Sequence, residues 1–235
     1  MSTKWDQVDW NSDTIIHLLT RERLHSYLEA SCGDQDQALV LYDWNIRAAG
    51  AVLGFVGMAE VVVRNAIDRE LQRQAERKGW SDWLDEAPLD DRGAKDVERA
   101  RKRVGRRSLQ HPRGKIIAEL SLGFWRYLCA SRYHTSLWVP SLNNAFPLGA
   151  SDLRRRRQEV ERALRDLSFV RNRAAHHEPL HHRNLTDDVA TAAKLVGWVS
   201  PEARSWLVSR ESVEKVSSER PTLKGANGPG DSRHM

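Results

Sequence analysis

The densest group of reactive side chains in the sequence lies in the ten residues from Val170 to Pro179. Arg171 carries a permanent positive charge on a planar fork that suits phosphate. His176 is of the residue type best suited to proton transfer near neutral pH. Asn172 lies four residues before His176, a spacing that puts both side chains on one face of a helix. Together the three residue types meet the needs of RNA cleavage by attack of a ribose 2′-hydroxyl on the adjacent phosphate, without a metal.

The same residues also fit a structural role, in which Arg171 and Asn172 cap their helix or pair with an acid such as Glu60. His176 would then be an ordinary surface residue. A metal site is a third interpretation, because four histidines fall within seven residues: His176, His177, His181 and His182. Zinc ligands usually come from separated elements, often with help from Cys or an acid. The sequence therefore predicts no metal and no cofactor.

The helix that leads into this segment has an apolar stripe at helical spacing, formed by Leu153, Val160, Leu164 and Leu167. The next position of the stripe is Arg171. We therefore expect its guanidinium to face the core, where a charge needs a partner or water. Pro179 disfavours helix at the residue before it, which puts His176 in or near the last turn.

Helical periodicity extends over nearly the whole chain, and we find no β-hairpin signal and no convincing alternating strand run. The sequence predicts an all-α fold, with a first helix that Ser12-Asp13 would cap. Further helices are expected at about 37–75, 90–104, 113–132, 151–176 and 185–198, and from Ser200 onwards. In the longest of them, three glycines indicate either a bend or the close approach of another helix: Gly50, Gly54 and Gly57.

Composition restricts the class of protein. The 235 residues are 40% apolar and 29% charged, which is typical of one globular domain, or at most two small ones, rather than of a disordered chain. No uninterrupted apolar run approaches the ~18 residues of a membrane span, and the N-terminus lacks the order of a signal peptide. Two distant cysteines, Cys32 and Cys129, are no disulfide framework. We expect a cytoplasmic protein without a membrane partner.

Positive charge is concentrated in two segments, although the net charge is only +5. Residues 92–115 hold ten bases and two acids. Three of the bases are arginines spaced four residues apart: Arg99, Arg103 and Arg107. A second run consists of the four arginines 154–157. Such runs are either solvated helix faces or a surface for the phosphate backbone of RNA. We assign RNA binding to Arg99, Arg103 and Arg107.

The C-terminal end is polar and rich in Gly, Pro and Ser, most clearly from Ser217 to Met235. The sequence therefore predicts a folded domain over residues 12–208 and a disordered polar tail over residues 209–235.

Six short motifs follow one another along the chain: Leu41-Tyr42-x-Trp44-Asn45; Glu60-x3-Arg64-Asn65-x-Ile67-Asp68; Glu119-Leu120-Ser121-Leu122-Gly123-Phe124-Trp125; Leu137-Trp138 with Ala145-Phe146-Pro147; Val170-Arg171-Asn172 through His176-His177-Glu178-Pro179; and Trp198 with Ser200-Pro201. In this order they resemble the Abi-like (abortive infection) proteins, a branch of the HEPN superfamily. The resemblance covers most of the chain, roughly residues 18–207.

The resemblance implies a HEPN-like helical bundle with additional family-specific helices, and a metal-independent endoribonuclease with an Arg-x4–6-His motif. By carry-over, His176 would transfer protons, Arg171 would stabilise charge on the phosphate, and Asn172 would orient the substrate or His176. Five further residues match the family pattern without assigned chemistry and would support the site: Glu60, Arg64, Asn65, His177 and Glu178.

The resemblance also implies a toxin of a bacterial phage-defence or toxin–antitoxin system that cleaves RNA and is restrained by an RNA or protein antitoxin. A homodimer with a composite active site is expected, because such ribonucleases commonly line one cleft with two copies of the motif. Two other functions stay open, a catalytically silent RNA-binding module and a protein-interacting partner.

The remaining family motifs are expected to be structural. We expect core packing of the large aromatic residues Phe124, Trp125, Trp138, Phe146 and Trp198, and a close approach of another helix at Gly123.

Overall fold

The chain is helical over most of the residues that the structure describes, which in this computed structural model are 10–105 and 113–223. These two ranges contain no strand, which confirms the predicted all-α fold. The α-helices are α1 (Ser12–Leu19), α2 (Arg21–Ala30), α3 (Gln35–Arg77), α4 (Trp83–Glu86), α5 (Asp91–Gly105), α6 (Arg113–Glu119), α7 (Leu122–Leu128), α8 (Leu153–Ala175), α9 (Leu185–Val199), α10 (Pro201–Val208) and α11 (Val213–Ser218). Between α7 and α8 lie a 3-10 turn, a π-helical turn and a second 3-10 turn, at Ser131–Tyr133, His134–Trp138 and Leu142–Ala145.

Helix α3 is the centre of the fold. The Asp34 carboxylate caps its start by accepting a hydrogen bond from the Gln37 backbone N–H (3.0 Å). The helix packs against α2, α8, α9 and α11, and its buried side includes Trp44, Phe55 and Ile67. Burial of one face, rather than intrinsic propensity, stabilises so long a helix.

The three glycines of α3 do not serve the close helix packing that their spacing allows. The helix continues through them without a break. A Cβ atom placed on Gly50, Gly54 or Gly57 would have no neighbour within 4 Å. Within residues 10–105 and 113–223, no other helix makes the close approach that was one of the two expectations for these glycines.

Helix α3 is also long and apolar enough to cross a membrane, judged by length and composition alone. One 18-residue window has a mean hydropathy of 1.8, although the sequence has no uninterrupted apolar run of that length. The core helix of a soluble protein has the same properties, because it too buries an apolar face. The contacts of α3 with the surrounding helices account for the apolar residues of its buried side, and 39% of this window is buried.

Two of the predicted helices are divided where a polar residue caps the following helix. Thr20, with a left-handed φ of 70°, separates α1 from α2, and Ser121 separates α6 from α7. The cap of α1 is Asn11 and not the predicted Ser12-Asp13. Apolar periodicity continues across each break, so the pattern alone does not reveal it. The Thr20 and Ser121 hydroxyl groups accept hydrogen bonds from backbone N–H groups in the first turn of the following helix. These hydrogen bonds favour a new helix start at each break.

Large aromatic side chains fill the core as expected, with one exception. Phe124, Trp125, Trp138 and Phe146 are at most 2% exposed. Trp198 is only partly buried, and the Lys194 ammonium lies 5.0 Å from its ring centre. The expectation for Gly123 is wrong, because a Cβ there would make only an ordinary contact, with the Ser121 hydroxyl at 3.6 Å.

The predicted disordered tail, residues 209–235, includes a helix, so the predicted end of the folded domain at residue 208 is too early. Residues 213–218 form α11, in which Val213 is 1% exposed and the Val216 carbonyl accepts a hydrogen bond from the Trp44 indole (2.7 Å). Two valines three residues apart give this polar segment one apolar side, a feature that average composition hides. Residues 224–235 lie outside the described residues.

Asp90 ties the start of α5 to the turns that follow α7. Its carboxylate accepts hydrogen bonds from the Tyr127 hydroxyl (2.5 Å), the Gly93 backbone N–H (3.0 Å) and the Tyr133 hydroxyl (2.9 Å), and it pairs with Arg132. These interactions, led by the Tyr127 hydrogen bond, hold the pKa of Asp90 well below its usual value.

We expect Asp90→Asn to lower the free energy of unfolding at neutral pH by about 1–2 kcal/mol, because the amide replaces charge-assisted hydrogen bonds with weaker ones. The pKa of Asp90 is lower in the folded than in the unfolded state. The wild-type advantage is therefore complete above about pH 4 and is lost as the pH falls through the folded value. Urea unfolding over a series of acidic pH values measures this. A stability difference that stays constant at every pH would contradict the charge's role.

Candidate active site

Helix α8 carries the predicted catalytic segment, but its apolar stripe takes a different course from the one expected. After Leu167 the buried positions are Val170 and Ala174, both fully buried. Arg171 is exposed, so the prediction that its guanidinium faces the core is wrong. The apolar neighbours on either side of Arg171 occupy the core positions and leave its charge in water, where it needs no buried partner.

The end of α8 confirms the predicted boundary and gives His177 a structural role. His176 is the C-terminal cap, and the next two backbone N–H groups bond back to Ala174 (3.1 Å) and Arg173 (2.8 Å). His177 adopts a left-handed φ of 53° in this motif, at a position where glycine is usual. The side chains of His176 and His177 are exposed, while their backbone is held by the helix end.

Three residues to which the sequence pattern assigns no role in the site fix the segment after α8. The buried Asn45 side chain of α3 accepts a hydrogen bond from the Leu180 N–H (2.7 Å) and donates to the Glu178 carbonyl (3.3 Å). The Arg23 guanidinium of α2 donates to the His176 carbonyl (2.9 Å). Arg173 donates to the Pro179 carbonyl (2.6 Å) and pairs with the Glu178 carboxylate (3.3 Å). His176 therefore projects from a backbone held by α2, α3 and α8.

Helix α3 brings one of the predicted supporting residues, Glu60, near Arg171. Burial raises the pKa of the partly buried Glu60, and the guanidinium groups of Arg171 and Arg64 act in the opposite direction. Both arginines thus lie within electrostatic reach of one carboxyl group. The Arg64 Nε atom is buried without a hydrogen-bond partner among the described residues. Asn65, the residue after Arg64, is exposed to solvent.

Helix geometry puts Asn172 and His176 on nearly the same face of α8, whereas Arg171 points away from His176 around the helix. Four residues bring a side chain nearly back to the same face, whereas the five between Arg171 and His176 turn it by about 140° around the helix. Arg171 accordingly lies on the side of Glu60, with its guanidinium 3.5 Å from the Asn172 amide oxygen. Asn172 and His176 share the solvent-facing side of α8.

The two later histidines pack against α2. His181 is 1% exposed, and its ring lies 5.1 Å from that of Tyr27. The Ser26 hydroxyl lies 3.1 Å from His181 Nε2 and 3.4 Å from His182 Nε2. Burial, followed by the nearby positive groups of His182, Arg220 and Arg173, lowers the pKa of His181 to about 4. Among the described residues, no three His, Cys, Asp or Glu side chains form a group that could hold a metal ion.

The predicted RNA-binding arginines pair with acids where the structure describes them. Arg99 pairs with Asp96, and Arg103 Nε lies 2.9 Å from the Glu119 carboxylate. Arg107 lies outside the described residues. Exposed ion pairs of this kind contribute little free energy, so both guanidinium groups can exchange a carboxylate for a phosphate at small cost.

The run of four arginines at 154–157 does not form one phosphate-binding surface. Arg157 is 5% exposed and donates to the Cys129 carbonyl (2.7 Å) and the Glu161 carboxylate (2.8 Å). Arg156 donates to the Ala150 carbonyl (2.6 Å). Helical geometry turns successive side chains by about 100°, so a continuous run necessarily sends part of its charge inward.

Comparisons of the chain with models of known protein families, with curated proteins and with solved structures find no match.

The Asn45 side chain offers a direct test of how the site is held. We expect Asn45→Ala to lower the free energy of unfolding by about 1–3 kcal/mol, because it leaves the buried Leu180 N–H unpaired. Hydrogen exchange at the Leu180 amide should accelerate. Asn65→Ala, an exposed asparagine on the same helix, is the matched control and should change stability by less than about 0.5 kcal/mol. Equal effects of the two substitutions would rule out the anchoring role of Asn45.

Proposed function

We propose that this chain is a metal-independent endoribonuclease whose site is the end of α8. The observation that carries the proposal is an exposed histidine on a fixed backbone, with an amide on the same helix face and a guanidinium, that of Arg171, 3.5 Å from the amide oxygen. His176 and Asn172 supply the first pair, and Arg171 and Arg64 lie beside Glu60. The resemblance to the Abi-like branch of the HEPN superfamily supports the same assignment.

The chemistry that fits these residues is transesterification within RNA. The ribose 2′-oxygen attacks the adjacent phosphorus, the bond from phosphorus to the 5′-oxygen breaks, and the products carry a 2′,3′-cyclic phosphate and a 5′-hydroxyl. His176 transfers a proton to or from one of these oxygens. Arg171 stabilises the negative charge that develops on the non-bridging oxygens. Asn172 orients the substrate or the imidazole.

A homodimer would complete such a site. In one chain, Arg171 and His176 point in directions about 140° apart around α8, so a single copy does not direct both groups at the same phosphate by helix geometry alone. A second copy at the same helix end would bring its own Arg171 and His176 to the cleft. Two histidines would then serve the two proton transfers that the reaction needs.

The biological role that we propose is a toxin of a bacterial phage-defence system, acting in the cytoplasm and restrained by an RNA or protein antitoxin. This part of the proposal rests on the family resemblance.

The second candidate is a non-catalytic RNA-binding module. The separation of Arg171 from His176 around α8 favours it, because a binding surface does not require the two groups to converge on one phosphate.

The decisive substitution is His176→Ala. We expect the wild-type protein to cleave labelled RNA in the presence of EDTA, and the variant to be slower by at least about a hundredfold, since a positioned proton-transfer group contributes on that order. Expression of the wild type, but not of the variant, should arrest bacterial growth. His25→Ala is the control, because His25 is an exposed histidine of α2 that pairs with Glu29.

Cleavage by His176→Ala at the wild-type rate would overturn the assignment of the active site. Binding of RNA without cleavage by either protein would favour the second candidate.

The arginines of α5 test the RNA-binding surface separately. We expect the double substitution Arg99→Gln and Arg103→Gln to weaken RNA binding and to reduce the slope of log affinity against log salt by about 0.7 for each phosphate that is no longer neutralised. Arg154→Gln with Arg210→Gln removes the same charge from two exposed positions elsewhere. If both double variants change the slope equally, the effect is one of net charge and α5 is not the binding surface.

A further inference from the structure

Phe169 is an exposed aromatic residue on the same side of α8 as the proposed catalytic histidine. It is 52% exposed. Counting from Phe169, the residues Asn172, Arg173 and His176 are at positions i+3, i+4 and i+7, which form one stripe along a helix. Seven residues correspond to about 10 Å along the helix axis, a distance that a short extended stretch of RNA covers.

Two guanidinium groups lie over the ring of Phe169. The Arg173 and Arg183 guanidinium carbons lie 5.6 Å and 5.3 Å from the ring centre, within the range of cation–π contact. Each guanidinium is itself fixed, Arg173 by the Pro179 carbonyl (2.6 Å) and Arg183 by the nearly buried carboxylate of Asp188 (2.6 Å). The ring is therefore packed against two anchored side chains before any ligand binds, and such preorganisation reduces the entropy lost on binding.

An isolated exposed hydrophobic residue needs no explanation, but this arrangement matches a known mode of RNA recognition. Unpaired bases stack on aromatic rings and on the planes of arginine guanidinium groups. In a duplex the faces of the bases are covered by their neighbours, so a flat surface of this kind distinguishes single-stranded from double-stranded RNA.

We infer that Phe169, framed by Arg173 and Arg183, stacks an unpaired base close to the phosphate that His176 serves, and that the substrate is single-stranded RNA. The inference rests on the proposed function, because it takes RNA as the ligand. It adds the strandedness of that RNA and a residue that selects it.

Fluorescence anisotropy measures the binding of two probes. One is a short fluorescein-labelled RNA of mixed sequence, and the other is the same strand annealed to its complement. All variants carry His176→Ala so that the RNA stays intact. We expect Phe169→Ala to weaken binding of the single strand about tenfold, the loss of one stacked base, and Phe169→Trp to preserve it. Binding of the duplex should not change. Trp206→Ala is the matched control, because Trp206 is a 47% exposed aromatic residue on another helix, α10.

Single-strand affinity of Phe169→Ala equal to that of the parent would overturn the inference, and so would equal losses for single strand and duplex. A change in oligomeric state with unchanged RNA affinity would assign the ring to a contact between protein chains instead. Failure here leaves the proposed function standing if a variant with Phe169→Ala alone still cleaves RNA at the wild-type rate. Conversely, Phe169-dependent binding of single strands by a wild-type protein that cleaves nothing would retain the stacking surface and reject the nuclease.

Discussion

The arrangement of the site depends on two hydrogen bonds of the buried Asn45 side chain. It joins the central helix α3 to the segment after α8 by satisfying two backbone groups, the Leu180 N–H and the Glu178 carbonyl. Without it, the buried Leu180 N–H would be left unpaired at a cost of about 1–3 kcal/mol, and the partly buried Glu178 carbonyl would lose a donor. The segment therefore has one favourable position against α3, and the Arg23 hydrogen bond to the His176 carbonyl agrees with that position. These hydrogen bonds fix the backbone at His176, while its side chain is exposed to solvent.

The charges around the site follow from the same packing. Because α3 lies along α8, the partly buried Glu60 is within reach of both Arg64 and Arg171. A carboxylate between two guanidinium groups reduces their repulsion and lets both stay near one point. The structural and catalytic interpretations of Arg171 are thus compatible, since an exposed guanidinium can be oriented by Glu60 and still contact a phosphate. The exposed stripe from Phe169 to His176 lies on the opposite side of α8 from the buried residues, where it is accessible to a large ligand.

The sequence predicted the helical class, most helix positions and the end of α8 near His176, because periodicity and proline placement report directly on local structure. It did not predict the breaks at Thr20 and Ser121, where the apolar pattern continues across a cap. The orientation of Arg171 was wrong because Val170 and Ala174 also fit the stripe. Asn45 and Arg23 were not assigned to the site, since their partners lie 133–135 and 153 residues away along the chain. Contacts of that kind depend on how α2, α3 and α8 pack, which no local pattern specifies.

Attack by the ribose 2′-hydroxyl is tested most directly by the chemical identity of the RNA ends, determined by mass spectrometry after cleavage by the wild-type protein in EDTA. We expect a 2′,3′-cyclic phosphate on one fragment and a 5′-hydroxyl on the other, with no cleavage where the ribose before the scissile phosphate is replaced by 2′-deoxyribose. Fragments with a 5′-phosphate, or cleavage that persists at the 2′-deoxy position, would show that water rather than the ribose hydroxyl attacks and would contradict the assigned chemistry.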